Sequence, residues 1–191
     1  MLMKNKQQGF GLIEVMVSLL ILAIAVLGFA AMQGQAIKAT DESLERTQSL
    51  IMMRNMGEKI RLNPTAITSY QTAINSPSTT VPTVSCGLYG SATTTCTPAQ
   101  LATAESYIFT QDMSNHGFTV NLHPCPSTGG QNANNIMYSW CLISAWGETR
   151  PTIGTNADKN CLTSQVTNDD DSITKGGIYH PKATCMFMEI T

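Results

Sequence analysis

Charge is scarce in this 191-residue chain: Asp, Glu, Lys and Arg together make up 13%, and the net charge is −2. A domain that grips duplex nucleic acid by neutralising phosphates is clearly basic, so specific duplex binding is not expected. The deficit is also local. No Asp, Glu, Lys or Arg occurs from Leu62 to Ala104, and none from Met113 to Gly147. Thr, Ser, Asn and Gln cover those stretches, as on many exported surfaces. Cysteine is absent before Cys86, and proline is absent between Phe10 and Asn63, so nothing there forbids one long helix. CxxC and HxxxH spacings are missing, which argues against structural zinc. No signature surrounds any cysteine that would mark a catalytic thiol. His116, His123 and His180 are scattered. No catalytic residue, metal or cofactor is expected. Hydrophobic residues still reach 42%, which excludes wholesale disorder, and the length suits one domain with an appendage.

The most informative stretch is N-terminal. Lys4 and Lys6 form a short basic head, and eighteen consecutive residues from Val15 to Met32 carry no formal charge. That run covers ~27 Å as a helix, and Gly11 to Ile13 bring it close to the ~30 Å hydrocarbon core of a bilayer. Lysines before it, with Asp41 and Glu42 after it, place the N-terminus in the cytoplasm. A secretory signal would need a small-residue cleavage site after the run, for which Ala30 and Ala31 could serve. A plain single-span anchor would also be apolar. Neither accounts for Glu14, a carboxylate at the start of an apolar run, where an ionised group is costly and usually has a designated partner. Neither accounts for Gly9-Phe10 placed before the run.

Gly9-Phe10-Gly11-Leu12-Ile13-Glu14-Val15 resembles the type IV prepilin signal, a class III signal peptide. The resemblance implies cleavage by a prepilin peptidase after Gly9, on the cytoplasmic side. Phe10 would become the methylated N-terminus, and the apolar segment would stay on the mature protein. Glu14 has a physical logic beside the family pattern. A carboxylate buried in a bundle of apolar helices needs a cation nearby. A neighbouring subunit, displaced along the bundle, could present the α-amino group of its Phe10. One ionic contact would then fix axial register, as buried polar groups do in coiled coils. In an isolated membrane monomer Glu14 would merely reach the interface.

Beyond the span, Gln33 to Leu62 is helix-prone. Met52, Met56 and Ile60 share one stripe, and Leu50, Met53, Gly57 and Ile60 an overlapping one. Asn63-Pro64 is a stop signal. One helix from Phe10 to Leu62 would hold 53 residues, or ~80 Å, with Gly28, Gly34 and Gly57 as weak points where it could bend. Leu27-Gly28-Phe29-Ala30-Ala31-Met32-Gln33, with Met56-Gly57-Glu58-Lys59-Ile60-Arg61-Leu62-Asn63-Pro64 and Tyr70, resembles the PilV branch of minor pilins. The likeness covers roughly residues 9–70 and is loose beyond.

Thr65 to Cys96 reads as loop, rich in Ser, Thr and Pro. A second helix follows, with Thr97 as N-cap, Pro98 at the first position, Gln100 as capping-box partner, and Gly117 beyond its end near Asn115. Ile136 to Trp146 and Ala183 to Ile190 read as strands, and Phe118 to Leu122 as a third. The expected fold is α+β: a small antiparallel sheet packed on the first helix, burying the methionine stripe. This is the type IV pilin architecture that the resemblance implies. An even set of six cysteines in the polar segment suggests an oxidising compartment. Six cysteines allow fifteen pairings. Cys86 and Cys96, close in sequence around a Gly-containing loop, are the best pair. Cys125 with Cys141 would tie the Gly129-Gly130 loop to the Trp140 strand. Cys161 with Cys185 would tie the 147–181 connection to the last strand; these two assignments stay open. Asn168 to Ser172 is acidic but lacks the alternating ligands and distal Glu of an EF-hand, so it reads as a solvated turn.

The expected division is a removed leader (1–9), a transmembrane half-helix (10–32), an amphipathic half-helix (33–62) and a disulfide-bonded head (63–191). The resemblance implies a structural subunit, not an enzyme: a minor pilin that primes pilus assembly or sits in a tip complex. It extends to roles in twitching, adhesion or DNA uptake. The implied partners are other minor and major pilins, the prepilin peptidase, the inner membrane and the pilus assembly platform. The implied location is a single inner-membrane pass with a periplasmic head, then the pilus at the cell surface. The alternatives are a type II secretion pseudopilin, which shares the signal, and a membrane-tethered adhesin or binding module.

Overall fold

The computed structural model describes residues 11–89, 95–126, 139–164, 166–167, 173–174 and 179–190. The chain divides into two compact units, Met1–Glu45 and Arg46–Thr191. The first contains the apolar turns of helix α1 (Leu12–Leu62). Every residue described there up to Leu44 is exposed. Ser18 fits the apolar run by donating its hydroxyl to the Val15 carbonyl at 2.8 Å.

In the second unit the last turns of α1 bury Ser49, Met53, Met56, Gly57 and Ile60. Spacings of three and four put these on one face. The opposite side carries an exposed Arg61–Glu58 ion pair at 2.8 Å. Lys59 and Arg61 in the last turn suit the negative end of the helix dipole. Asn63-Pro64 then stops α1, and the Asn63 amide donates to the Pro98 carbonyl at 2.9 Å.

Thr65 to Cys96 is not wholly loop. A 3₁₀ turn, Pro64–Ala66, leads into α2 (Ile67–Asn75). Ala66, Tyr70 and Ile74 are buried at intervals of four, and that burial overrides the modest helix propensity of the Ser/Thr-rich sequence. The chain later reverses at Cys86 and Gly87, both left-handed with φ of 53° and 76°. The next helix, α3 (Pro98–Asn115), opens with the expected Thr97/Gln100 capping box. It buries Ala102, Ser106, Phe109 and Met113. Gly117, at φ 79°, turns the chain into the sheet.

Seven strands follow among the described residues: β1 (Thr119–Pro124), β2 (Trp140–Ala145), β3 (Arg150–Gly154), β4 (Asn160–Thr163), β5 (Val166–Thr167), β6 (Ile173–Thr174) and β7 (Cys185–Ile190). β1, β2 and β7 form an antiparallel sheet with β2 in the centre. Leu122, Leu142 and Met188 align across it and pack with the helices. Cys141, Ile143, Ala145 and Phe187 point the other way, toward Cys161, Leu162 and Ile153. Both faces of β2 are therefore covered, which is why five of its six residues are buried. The second cover is the parallel pair β3–β4, set within a stretch expected to be mere connection; β5 and β6 pair antiparallel there. The last strand begins at Cys185 rather than Ala183. The β2 strand begins at Trp140, and 136–138 lie outside the described residues.

Gly28, Gly34 and Gly57 all sit in helical backbone. Gly57 is a contact point rather than a bend. A Cβ there would meet the Met188 Cε at 2.7 Å, so its hydrogen lets β7 approach α1 closely.

Candidate functional site

Glu14 sits in the first turn of α1, where its backbone N–H donates to the Gly11 carbonyl at 2.9 Å. A carboxylate suits the positive end of a helix dipole. Its side chain is exposed, at the end of a shallow apolar groove lined by Ile13, Val17, Ser18 and Ile21. The helix is long and apolar enough to cross a membrane, and none of its most apolar eighteen-residue window is buried. A core helix of a water-soluble domain would hide such a surface. Here Leu20, Ile24, Leu27 and Phe29 are each about 60–70% exposed, an apolar surface of the kind that lipid or other helices cover. Gly9 and Phe10 lie outside the described residues, as does the acidic turn from Asn168 to Ser172.

The head is fixed by three disulfides: Cys86–Cys96, Cys125–Cys141 and Cys161–Cys185. No cysteine is free. The first links the turn after α2 to the start of α3. The other two clamp the face of the sheet away from the helices, where all four cysteines are buried.

The buried tie between α2 and α3 has no local signature in the sequence. The Tyr70 hydroxyl donates to the carboxylate of Glu105, and both residues are buried. Burial, then the bond to Glu105, pushes the Tyr70 hydroxyl well above its usual pKa. The spacing of Ala66, Tyr70 and Ile74 was the available signal for α2. Asn75 ends α2 and bonds Leu122 of β1 in both directions, accepting at 2.7 Å and donating at 3.0 Å. Burial lowers the pKa of His123, opposed by a hydrogen bond to the Pro151 backbone. His116 and His180 bond backbone carbonyls of Asp112 and Gly154. Among the described residues no three His, Cys, Asp or Glu side chains gather as a metal site.

A long N-terminal helix, apolar and uncovered in its first unit, with a small antiparallel-sheet head, is the type IV pilin fold. A family model described as type IV pilin Tt1218 matches residues 31–107. A second, the prokaryotic N-terminal methylation motif, matches residues 4–30, the stretch that contains Gly9, Phe10 and Glu14. Together with the fold they support a type IV pilin subunit, a structural family whose apolar helix fits membrane anchoring before assembly. No curated protein and no solved structure matches the chain.

Proposed function

We propose that the protein is a minor pilin of the PilV type, made as a membrane-anchored precursor and built into a type IV pilus or its tip complex. It is a structural part and not an enzyme. The uncovered apolar surface of α1, headed by Glu14, carries this reading. In the membrane, lipid solvates that surface. In the pilus, neighbouring helices replace the lipid, and Glu14 meets the amino group of an adjacent Phe10. Prepilin peptidase cuts after Gly9, Phe10 is methylated, and the 63–191 head faces the periplasm before assembly and the exterior afterwards. Other pilins and the assembly platform are the partners in this account. Priming of assembly is the role most directly tied to a helix able to join the bundle. Twitching, adhesion and DNA uptake would follow from the pilus itself.

Mass spectrometry of sheared pili tests the proposal. The expected result is head peptides in the pilus fraction and a mature N-terminus at methylated Phe10. Head peptides confined to membranes would overturn the pilus reading, in favour of a pseudopilin or tethered adhesin. An N-terminus after Ala30 or Ala31 would overturn the processing reading as well.

A further inference from the structure

We propose that the slot along the free edge of β1 receives a short extended segment of a partner protein, paired through its backbone and carrying an acidic residue.

β1 is an outer strand, with β2 on one side only. The Phe118 N–H, just before β1, donates away from the sheet to the Met113 carbonyl at 2.9 Å. Both backbone groups of Leu122 are held by the Asn75 side chain. Even-numbered residues of β1 thus turn their backbone groups away from β2, as alternation in an antiparallel ladder requires. Val120 lies between Phe118 and Leu122, and its outward N–H and C=O have no partner among the described residues. An amide side chain that both donates to and accepts from one strand residue imitates two bonds of a neighbouring strand. Asn75 fills one such place, and the next, at Val120, borders the groove although the residue as a whole is only 8% exposed.

That place lies in a groove of about 620 Å³, within the usual size range of ligand clefts. Ile74 and Thr110 of the helix layer form one wall, and Pro151 and Thr152 of β3 the other. Backbone bonds at an exposed edge supply affinity, and flanking side chains supply selectivity. Arg150 and Lys159 stand at this groove against the single anion Glu148. Neither cation has a partner among the described residues. The charge balance favours an acidic residue beside the paired stretch.

The test uses the full-length chain in detergent and fluorescein-labelled pentapeptides, read by anisotropy. The probes are Thr-Val-Thr-Val-Asp, the same peptide ending in Lys, and the Asp peptide with N-methylated backbone. The Asp peptide should bind saturably, and N-methylation should weaken it roughly tenfold or more. The Lys peptide should bind more weakly than the Asp peptide. Val120→Pro removes the outward N–H at an edge position and should abolish binding; because the Val120 side chain packs in the core, the charge variant below carries the decision. Arg150→Glu should reverse the preference between Asp and Lys peptides, a gain that misfolding cannot imitate. No saturable binding up to about 1 mM, equal binding of the N-methylated peptide, or no reversal in Arg150→Glu would overturn the proposal.

Discussion

Tyr70 and His123, two ionisable side chains of the head, have testable consequences for stability. The Glu105 carboxylate, 8% exposed, accepts from Tyr70, which is fully buried. Tyr70→Phe removes the donor and leaves the carboxylate without it, at a cost of about 1–3 kcal/mol. Adding Glu105→Met should recover most of that loss, because removing both partners leaves nothing unsatisfied. Urea midpoints of the two variants check this, and a double variant no better than Tyr70→Phe would contradict it. His123 gives a pH dependence. Burial lowers its folded pKa below the usual 6.5, so the unfolded chain takes up a proton first as pH falls. Stability from this group is present above about pH 6.5 and lost as pH falls below it. The fall in melting temperature from pH 7.5 to 5.5 should therefore be smaller in His123→Gln. Glu14 was legible in the sequence because its oddity is local, a charge set in an apolar run. The Tyr70–Glu105 pair was not, since it joins residues 35 apart and neither has a distinctive neighbourhood.

At the scale of elements, the end of α1 and the capping box of α3 were legible because both rest on short-range chemistry. The missed helix α2 shows composition misleading. Ser and Thr weaken helix propensity, but three buried positions at intervals of four outweigh it once α3 and β1 are present. The parallel pair β3–β4 was illegible for a different reason. Its residues earn their place by covering the second face of β2, which no local pattern reveals. Gly57 marks the tightest α1–β7 approach. Gly57→Ala should lie within about 1 kcal/mol of the parent, since the helix gains propensity and only the flexible Met188 end must move. Gly57→Leu must displace Met188 and Ile190 and should cost about 1–3 kcal/mol. Thermal unfolding of the solubilised protein separates these outcomes, and equal stabilities would contradict the close approach.

At the scale of the whole molecule, the disulfides bear on stability and the uncovered helix on the proposed assembly. The rings span separations of 10, 16 and 24 residues. Chain entropy distinguishes the shortest from the longest by less than ~1 kcal/mol. Burial decides instead: Cys161 and Cys185 are fully buried, whereas Cys86 and Cys96 are partly exposed. Replacing Cys161 and Cys185 by Ala should cost about 2–5 kcal/mol, and replacing Cys86 and Cys96 distinctly less; urea midpoints of the two double variants rank them. The even cysteine count was legible as an oxidised head, and Cys86–Cys96 stood out by its closeness in sequence; the other two pairs stayed open until the fold brought β2, β4 and β7 together. In the proposed account assembly rests on Glu14, whose partner would belong to another chain. Its carboxylate reaches water in a lone membrane subunit and needs a cation in a packed bundle. The direct measurement is the ratio of this protein in sheared pili to that in membranes, for the parent, Glu14→Gln and Glu14→Ala. The account predicts normal membrane levels in all three, with the ratio falling from parent to Gln to Ala, because an amide still accepts a hydrogen bond without the charge. Equal ratios would contradict it and leave Glu14 an interfacial residue.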